Sequence, residues 1–240
     1  MNATTSAPTL VVALDTPDYV AADALIGSLA PLGVMFKIGF ESLYGYGERI
    51  FERLEALGAG YFVDAKLHDI PRTVAAGVRA LVRPGVRILN VHALGGAEMM
   101  RAAVDAAQER AAELHVEPPA IFAVTLLTSI GADDLAELGL HGGPGENVIR
   151  LAALARDAGC AGVVCSMHEV RDIKRFFGTE FATLIGGVRP RGASHDDQRR
   201  AATPREGVDA GADYLVVGRP ITQASDPLSA ARGILAEMRG

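Results

Sequence analysis

Short apolar runs alternate along the chain with longer amphipathic stretches. The runs Leu10–Leu14, Val34–Lys37, Tyr61–Lys66, Arg87–Val91, Ala120–Leu126, Gly162–Cys165, Ala182–Ile185 and Asp213–Val217 are too short for helices. Most are rich in Val, Ile, Leu or Phe with little polar alternation, the pattern of strands covered on both faces. Between them the apolar spacing is helical, over about 18–30, 41–57, 97–114, 133–138, 146–158, 168–177 and 227–238, with a further helix starting at Ile70-Pro71. Asp18 is placed to cap the first helix, Pro71 suits a first helical turn, and Gly58 ends the second helix.

Eight strand–helix alternations over 240 residues predict a single-domain α/β chain, a parallel (β/α)₈ TIM barrel spanning residues 1–240. A doubly wound open sheet shares the local pattern, but no Gly-x-Gly-x-x-Gly follows the first strand, as a dinucleotide-binding sheet of that kind would have. No linker, low-complexity tract or composition shift divides the chain. The stretch from Gly186 to Pro204 is long, polar and without an apolar face. A loop of that length in a compact domain is a candidate binding loop, and a phosphate-gripping lid is expected at about 187–203.

Polar residues recur where the strands end, the face on which barrel enzymes carry their sites. Asp15 follows strand one, Lys37 ends strand two, and Asp64 and Lys66 end strand three, two residues apart and so on one face. Asp69 follows at once, Thr128 and Ser129 follow strand five, Arg189 follows strand seven, and Gly218-Arg219 follows strand eight. Buried charge is costly unless it pairs or does chemistry. An alternating Asp-Lys-Asp-Lys series across neighbouring strands therefore reads as a charge array and not as core. Taken singly, Asp69 is also a plausible helix cap, Lys37 a snorkelling strand end, His68 and His92 structural imidazoles, and Thr128 a turn residue. Their joint placement favours chemistry. Gly218-Arg219 suits an oxyanion, since glycine lets backbone N–H groups approach and arginine grips phosphate with a planar fork.

Net charge of −6 argues against nucleic acid as a partner, because phosphate backbones reward basic surfaces. Met1–Pro8 has neither a basic nor an apolar segment of a signal peptide, and no apolar stretch approaches the ~20 residues of a membrane helix. No membrane association and a cytoplasmic location are expected. Cys160 and Cys165 lack further Cys or His partners at metal-binding spacing and read as two buried thiols.

The block Asp64-Ala65-Lys66-Leu67-His68-Asp69-Ile70-Pro71-Arg72-Thr73 closely resembles the hallmark of the orotidine 5'-phosphate decarboxylase family. The resemblance extends over nearly the whole chain, through Leu14-Asp15, Phe36-Lys37-Ile38-Gly39, Val91–Gly96, Leu127-Thr128-Ser129, Gly187–Pro190, Gln198 and Val217–Pro220, and is to the bacterial branch. It implies a (β/α)₈ homodimer with shared active sites, no cofactor and no metal, converting orotidine 5'-phosphate to UMP. By that resemblance Lys66 protonates C6 of the pyrimidine as CO₂ leaves, and Asp64 sits beside the substrate carboxylate. Lys37 and Asp15 hold ribose hydroxyls, and Lys37 also pairs with Asp64. Asp69 and Thr73 reach into the partner's site, which completes a catalytic set of Lys37, Asp64, Lys66 and Asp69. Ile70 belongs with the substrate-binding residues, Thr128 contacts the pyrimidine, and Arg189, Gln198, Gly218 and Arg219 close over the phosphate.

Two other readings use the same residues. Related sugar-phosphate aldolases and decarboxylases resemble the Asp-x-Lys-x-x-Asp block but hold Mg²⁺ with carboxylates, including a Glu at the end of strand two. Lys37 stands there in this chain, and an ammonium repels a dication. A nucleotide sensor that binds without chemistry has no need of the Asp64-Lys66-Asp69 array.

Overall fold

The computed structural model describes residues 7–16, 18–190 and 202–240. Eight parallel strands pair each with the next, and the last with the first, in a closed barrel. They are β1 (Thr9–Ala13), β2 (Met35–Ile38), β3 (Tyr61–Leu67), β4 (Val86–His92), β5 (Ala120–Val124), β6 (Gly162–Cys165), β7 (Ala182–Ile185) and β8 (Tyr214–Val217). Closure is made by β1 against β8, with Val11 opposite Val216 and Val12 opposite Val217. The TIM-barrel expectation holds, and the open sheet is set aside.

The helices are α1 (Tyr19–Leu29), α2 (Phe40–Tyr46), α3 (Glu48–Ala56), α4 (Pro71–Leu81), α5 (Gly96–Leu114), α6 (Ala132–Glu137), α7 (Pro144–Asp157), α8 (Met167–Phe177), α9 (Pro204–Ala210), α10 (Arg219–Thr222) and α11 (Pro227–Arg239). Asp18 caps α1, accepting from the Ala21 N–H at 2.8 Å. The continuous helix expected over 41–57 is two helices. Gly47, at φ 57° and ψ −135°, breaks it in a conformation open to glycine and not to other residues. The connection after β7 reaches to the expected Pro204. Val188 bridges to Ala202, and α9 begins at Pro204 behind Thr203, whose hydroxyl accepts from the Glu206 N–H. Residues 191–201 of the expected lid, Gln198 among them, lie outside the described residues. No helix among the described residues is long and apolar enough to cross a membrane.

Strand side chains divide by parity except where β3 and β4 shift register. Val11, Phe62, Ile88, Phe122 and Leu184 fill the barrel interior with Met35, Val164, Tyr214 and Val216. Their neighbours Leu10, Val12, Tyr61, Val63, Leu89, Val91, Ile121 and Val163 face outward into the layer shared with the helices. Both faces are apolar, which is why the strands read as unbroken hydrophobic runs. Both cysteines are buried and free, and burial pushes the Cys160 thiol up to about 12, so it packs as a small hydrophobe.

The interior is closely filled at Gly162. A Cβ there would strike the Ala182 carbonyl and come within 2.8 Å of Phe122 Cε1. The Ala182 backbone is held in the β6–β7 ladder and has little room to yield. Gly162→Ala is expected to cost about 1–3 kcal/mol of stability, which thermal denaturation would read as a fall of about 2–12 °C in melting midpoint.

Candidate active site

The inward parity that packs the barrel also builds the site. Two residues beyond Met35, Phe62, Ile88 and Val216 stand Lys37, Asp64, Asn90 and Gly218, and four beyond Val11 stands Asp15. On β2, β3 and β4 an apolar inward position thus gives way to a polar one at the barrel's C-terminal mouth. Lys37 Nζ lies 3.1 Å from Asp15 Oδ1 and 3.5 Å from Asp64 Oδ2. Lys66 Nζ lies 2.6 Å from Asp64 Oδ1. The four groups form a continuous chain, Asp15–Lys37–Asp64–Lys66, in which the side chains of Lys37 and Asp64 are only 10% and 12% exposed.

Burial pushes the Asp64 carboxyl up, but the Lys37 and Lys66 charges and the bonds from Lys66 and Asn90 outweigh it and hold it below its ordinary value. The carboxylate is therefore ionised and shared between two ammonium groups.

Asp64 and Lys66 do share a face, but not by the simple alternation of a regular strand. Val63 pairs with Leu89 and Leu67 with Val91, so residues 64–66 bulge opposite the single residue Asn90. Lys66 sits in this bulge at φ 45°, a left-handed conformation unusual for a residue other than glycine. The Asn90 side chain is buried here, donating to Asp64 Oδ1 and accepting from the Lys66 backbone N–H, both at 2.7 Å. Nothing in the motifs pointed to Asn90, although an Asn inside the apolar run Val86–His92, two residues past the inward Ile88, is a legible signal. Gly39 leaves room for the array, since a Cβ there would come 2.7 Å from both Asp15 Oδ1 and Lys37 Nζ.

Asp15 and Lys37 also line a cavity of about 410 Å³ together with Gly187, Arg189, Gly218 and Arg219, and with Thr222 and Gln223 from the α10 region. Arg189 is buried, its backbone N–H donating to the Ala202 carbonyl at 2.8 Å. The cavity thus brings the Asp15–Lys37 pair together with two arginines. Thr222 and Gln223 were not foreseen, because α10 is too short to show a helical period.

Four expected residues, Asp69, Ile70, Thr73 and Thr128, do not line this cavity. Asp69 is exposed, and its Oδ1 accepts from the Ile70 N–H at 2.6 Å. Ile70, 65% exposed, and Thr73 lie at the start of α4. Thr128 is exposed in the turn after β5. His68 stacks on His92 with centroids 5.2 Å apart, and burial, His68 and Lys66 together push the His92 imidazole below its usual range.

The sequence profile of the orotidine 5'-phosphate decarboxylase / HUMPS family matches residues 8–234. The chain belongs to that family. The orotidine 5'-phosphate decarboxylase of Halorhodospira halophila is 49% identical, with 96% of each chain covered. That of Moorella thermoacetica is 48% identical over 95% of this chain and 91% of its own. Among solved structures, the orotidine 5'-phosphate decarboxylase from Lactobacillus acidophilus superposes with a TM-score of 0.86 at 34% identity, covering 97% of this chain and all of that one (100%). In this family member, as in the barrel enzymes generally, the polar residues gather at the strand C-termini.

The depressed Asp64 value makes stability depend on acid pH. Its contribution is full above the ordinary value of 3.8 and is lost as pH falls through the lower folded value. Denaturant unfolding of the chain and of Asp64→Asn should therefore differ by about 1–3 kcal/mol at neutral pH. The gap should close only below about pH 4.

Proposed function

We propose that the chain decarboxylates orotidine 5'-phosphate to UMP in pyrimidine biosynthesis, with Lys66 as the proton donor and with no cofactor. The observation that carries this reading is the Asp15–Lys37–Asp64–Lys66 array, two of whose members, Asp15 and Lys37, line one cavity with Arg189 and Arg219. A nucleotide, with a phosphate for the arginines and a reacting base for the array, matches that combination. The names of the relatives support the same substrate.

The chemistry follows from the charges. When the C6–carboxylate bond breaks, its electron pair remains at C6 in an in-plane orbital that the ring π-system cannot accept. The Lys66 ammonium stabilises that charge and then transfers a proton to C6, and the lysine recovers its proton from solvent. Asp64 keeps the ammonium in place through the 2.6 Å contact. Lys37 and Asp15 hold ribose hydroxyls. Arg189, Gly218, Arg219 and Gln198 take the phosphate, far from C6, so that its binding energy goes into orientation. Thr128 contacts the pyrimidine. Lys37, at the mouth of β2, disfavours the Mg²⁺-dependent alternative, because an ammonium 3.5 Å from Asp64 competes with a dication for the same carboxylate.

The active form is a homodimer with shared sites. Asp69 and Thr73 are exposed beside the array, and Ile70 and the half-exposed Phe40, whose ring centroid lies 5.2 Å from Lys66 Nζ, offer apolar surface on the same rim. A second copy would cover that surface, and each Asp69 would complete the neighbour's charge set, with Ile70 against the neighbour's substrate.

Lys66→Ala should lower kcat by at least about 10³-fold while calorimetry still detects UMP binding; turnover near wild type would remove Lys66 as the acid. Mixing inactive Lys66→Ala and Asp69→Ala proteins should restore activity, because a hybrid dimer contains one site free of both substitutions. No recovery despite verified subunit exchange would contradict the shared site.

A further inference from the structure

The geometry points to Asn90 as a positioning residue that sets both the Asp64 carboxylate and the Lys66 backbone for proton transfer. This rests on the function proposed above and adds a residue to its machinery. Asn90 lies in β4 between Leu89 and Val91, which pack outward, and its own side chain is turned inward and almost wholly buried. A carboxamide there costs free energy unless each of its groups finds a partner. Both partners it finds belong to the charge array.

The bulge explains the need. Residues 64–66 stand opposite Asn90 alone, so the backbone ladder between β3 and β4 is interrupted where the reacting groups are carried. The Lys66 N–H, displaced from a strand partner, is taken by Asn90 Oδ1 at 2.7 Å, and this bond holds Lys66 in its left-handed conformation at φ 45°. The other end of the same amide donates to Asp64 Oδ1 at 2.7 Å, the oxygen that also receives Lys66 Nζ. With Oδ1 committed in this way, Oδ2 is left facing Lys37. One rigid planar group thus fixes which carboxylate oxygen meets which lysine and where the Lys66 side chain departs from the backbone. A hydrophobic residue would fill the space and do neither.

Two substitutions separate the two bonds. Asn90→Ala removes both, and Asn90→Asp keeps the acceptor for the Lys66 N–H while placing a second carboxylate against Asp64. Asn90→Ala should lower kcat by about 10- to 100-fold, as loss of an orienting partner does, with KM and UMP affinity near wild type, because no substrate contact is lost. Asn90→Asp should move the acid limb of the pH–rate profile upward, since adjacent carboxylates resist joint ionisation. Two readouts need no turnover. Hydrogen exchange at the Lys66 amide should quicken in Asn90→Ala and stay slow in Asn90→Asp, and the ¹³C-detected titration of Asp64 should rise in both. Unchanged exchange and titration overturn the inference, as does a kcat loss matched by equal losses in UMP affinity and melting temperature. If the unsubstituted protein fails to decarboxylate orotidine 5'-phosphate while exchange and titration shift as described, the functional reading falls and the bracing role of Asn90 stands.

Discussion

The Asp64 carboxylate, held between the Lys37 and Lys66 ammonium groups, is the interaction on which the rest of the site depends. A carboxylate so nearly removed from water is expensive, and either lysine alone beside it would leave a charge imbalance at the barrel mouth. Two cations, a second carboxylate at Asp15 and the Asn90 amide together meet that cost. Around this cluster the fold makes several local exceptions: a strand bulge, a left-handed lysine, a polar residue inside β4, and a glycine at position 39 where any side chain would press on Asp15 and Lys37. Each departs from local preference, and all converge within one layer of the barrel.

That layer lies directly on the packed interior. Phe62, Ile88 and Phe122 fill the barrel beneath it, so the charged groups are mounted on side chains with little freedom to shift. Closure of β8 onto β1 brings the two halves of the site together. Strands two and three carry the lysines and Asp64, whereas the ends of strands seven and eight carry Arg189, Gly218 and Arg219, and Asp15 on the intervening strand end touches both regions. The separation suits a substrate whose reacting carbon and binding handle lie at opposite ends.

The strands were legible because both of their faces are buried, and β6 and β7 fall at the boundaries their apolar runs predict. The array residues Asp15, Lys37, Asp64 and Lys66 were legible because core packing does not account for charge at successive strand ends. The bulge was not, because alternation predicts the same shared face for Asp64 and Lys66 by a different backbone path. The break at Gly47 was hidden by apolar spacing that continues through it, as Ile50, Phe51 and Leu54 bury the face of α3. Helix α9 had a readable start in Thr203-Pro204-x-Glu206, but its few residues are too short to show a period. The exposed placement of Asp69 and Thr73 was not legible, because they lie in the turn into α4 and at its start, off the buried faces that a hydrophobic pattern records.

Decarboxylation by this array of lysines and carboxylates, unaided, is the central claim. The most direct test follows the ultraviolet absorbance of orotidine 5'-phosphate with purified protein in excess EDTA and without added cofactor. Rapid loss with stoichiometric release of UMP and CO₂ is the predicted result. No loss from folded, dimeric protein, or activity that returns only with Mg²⁺, would contradict it.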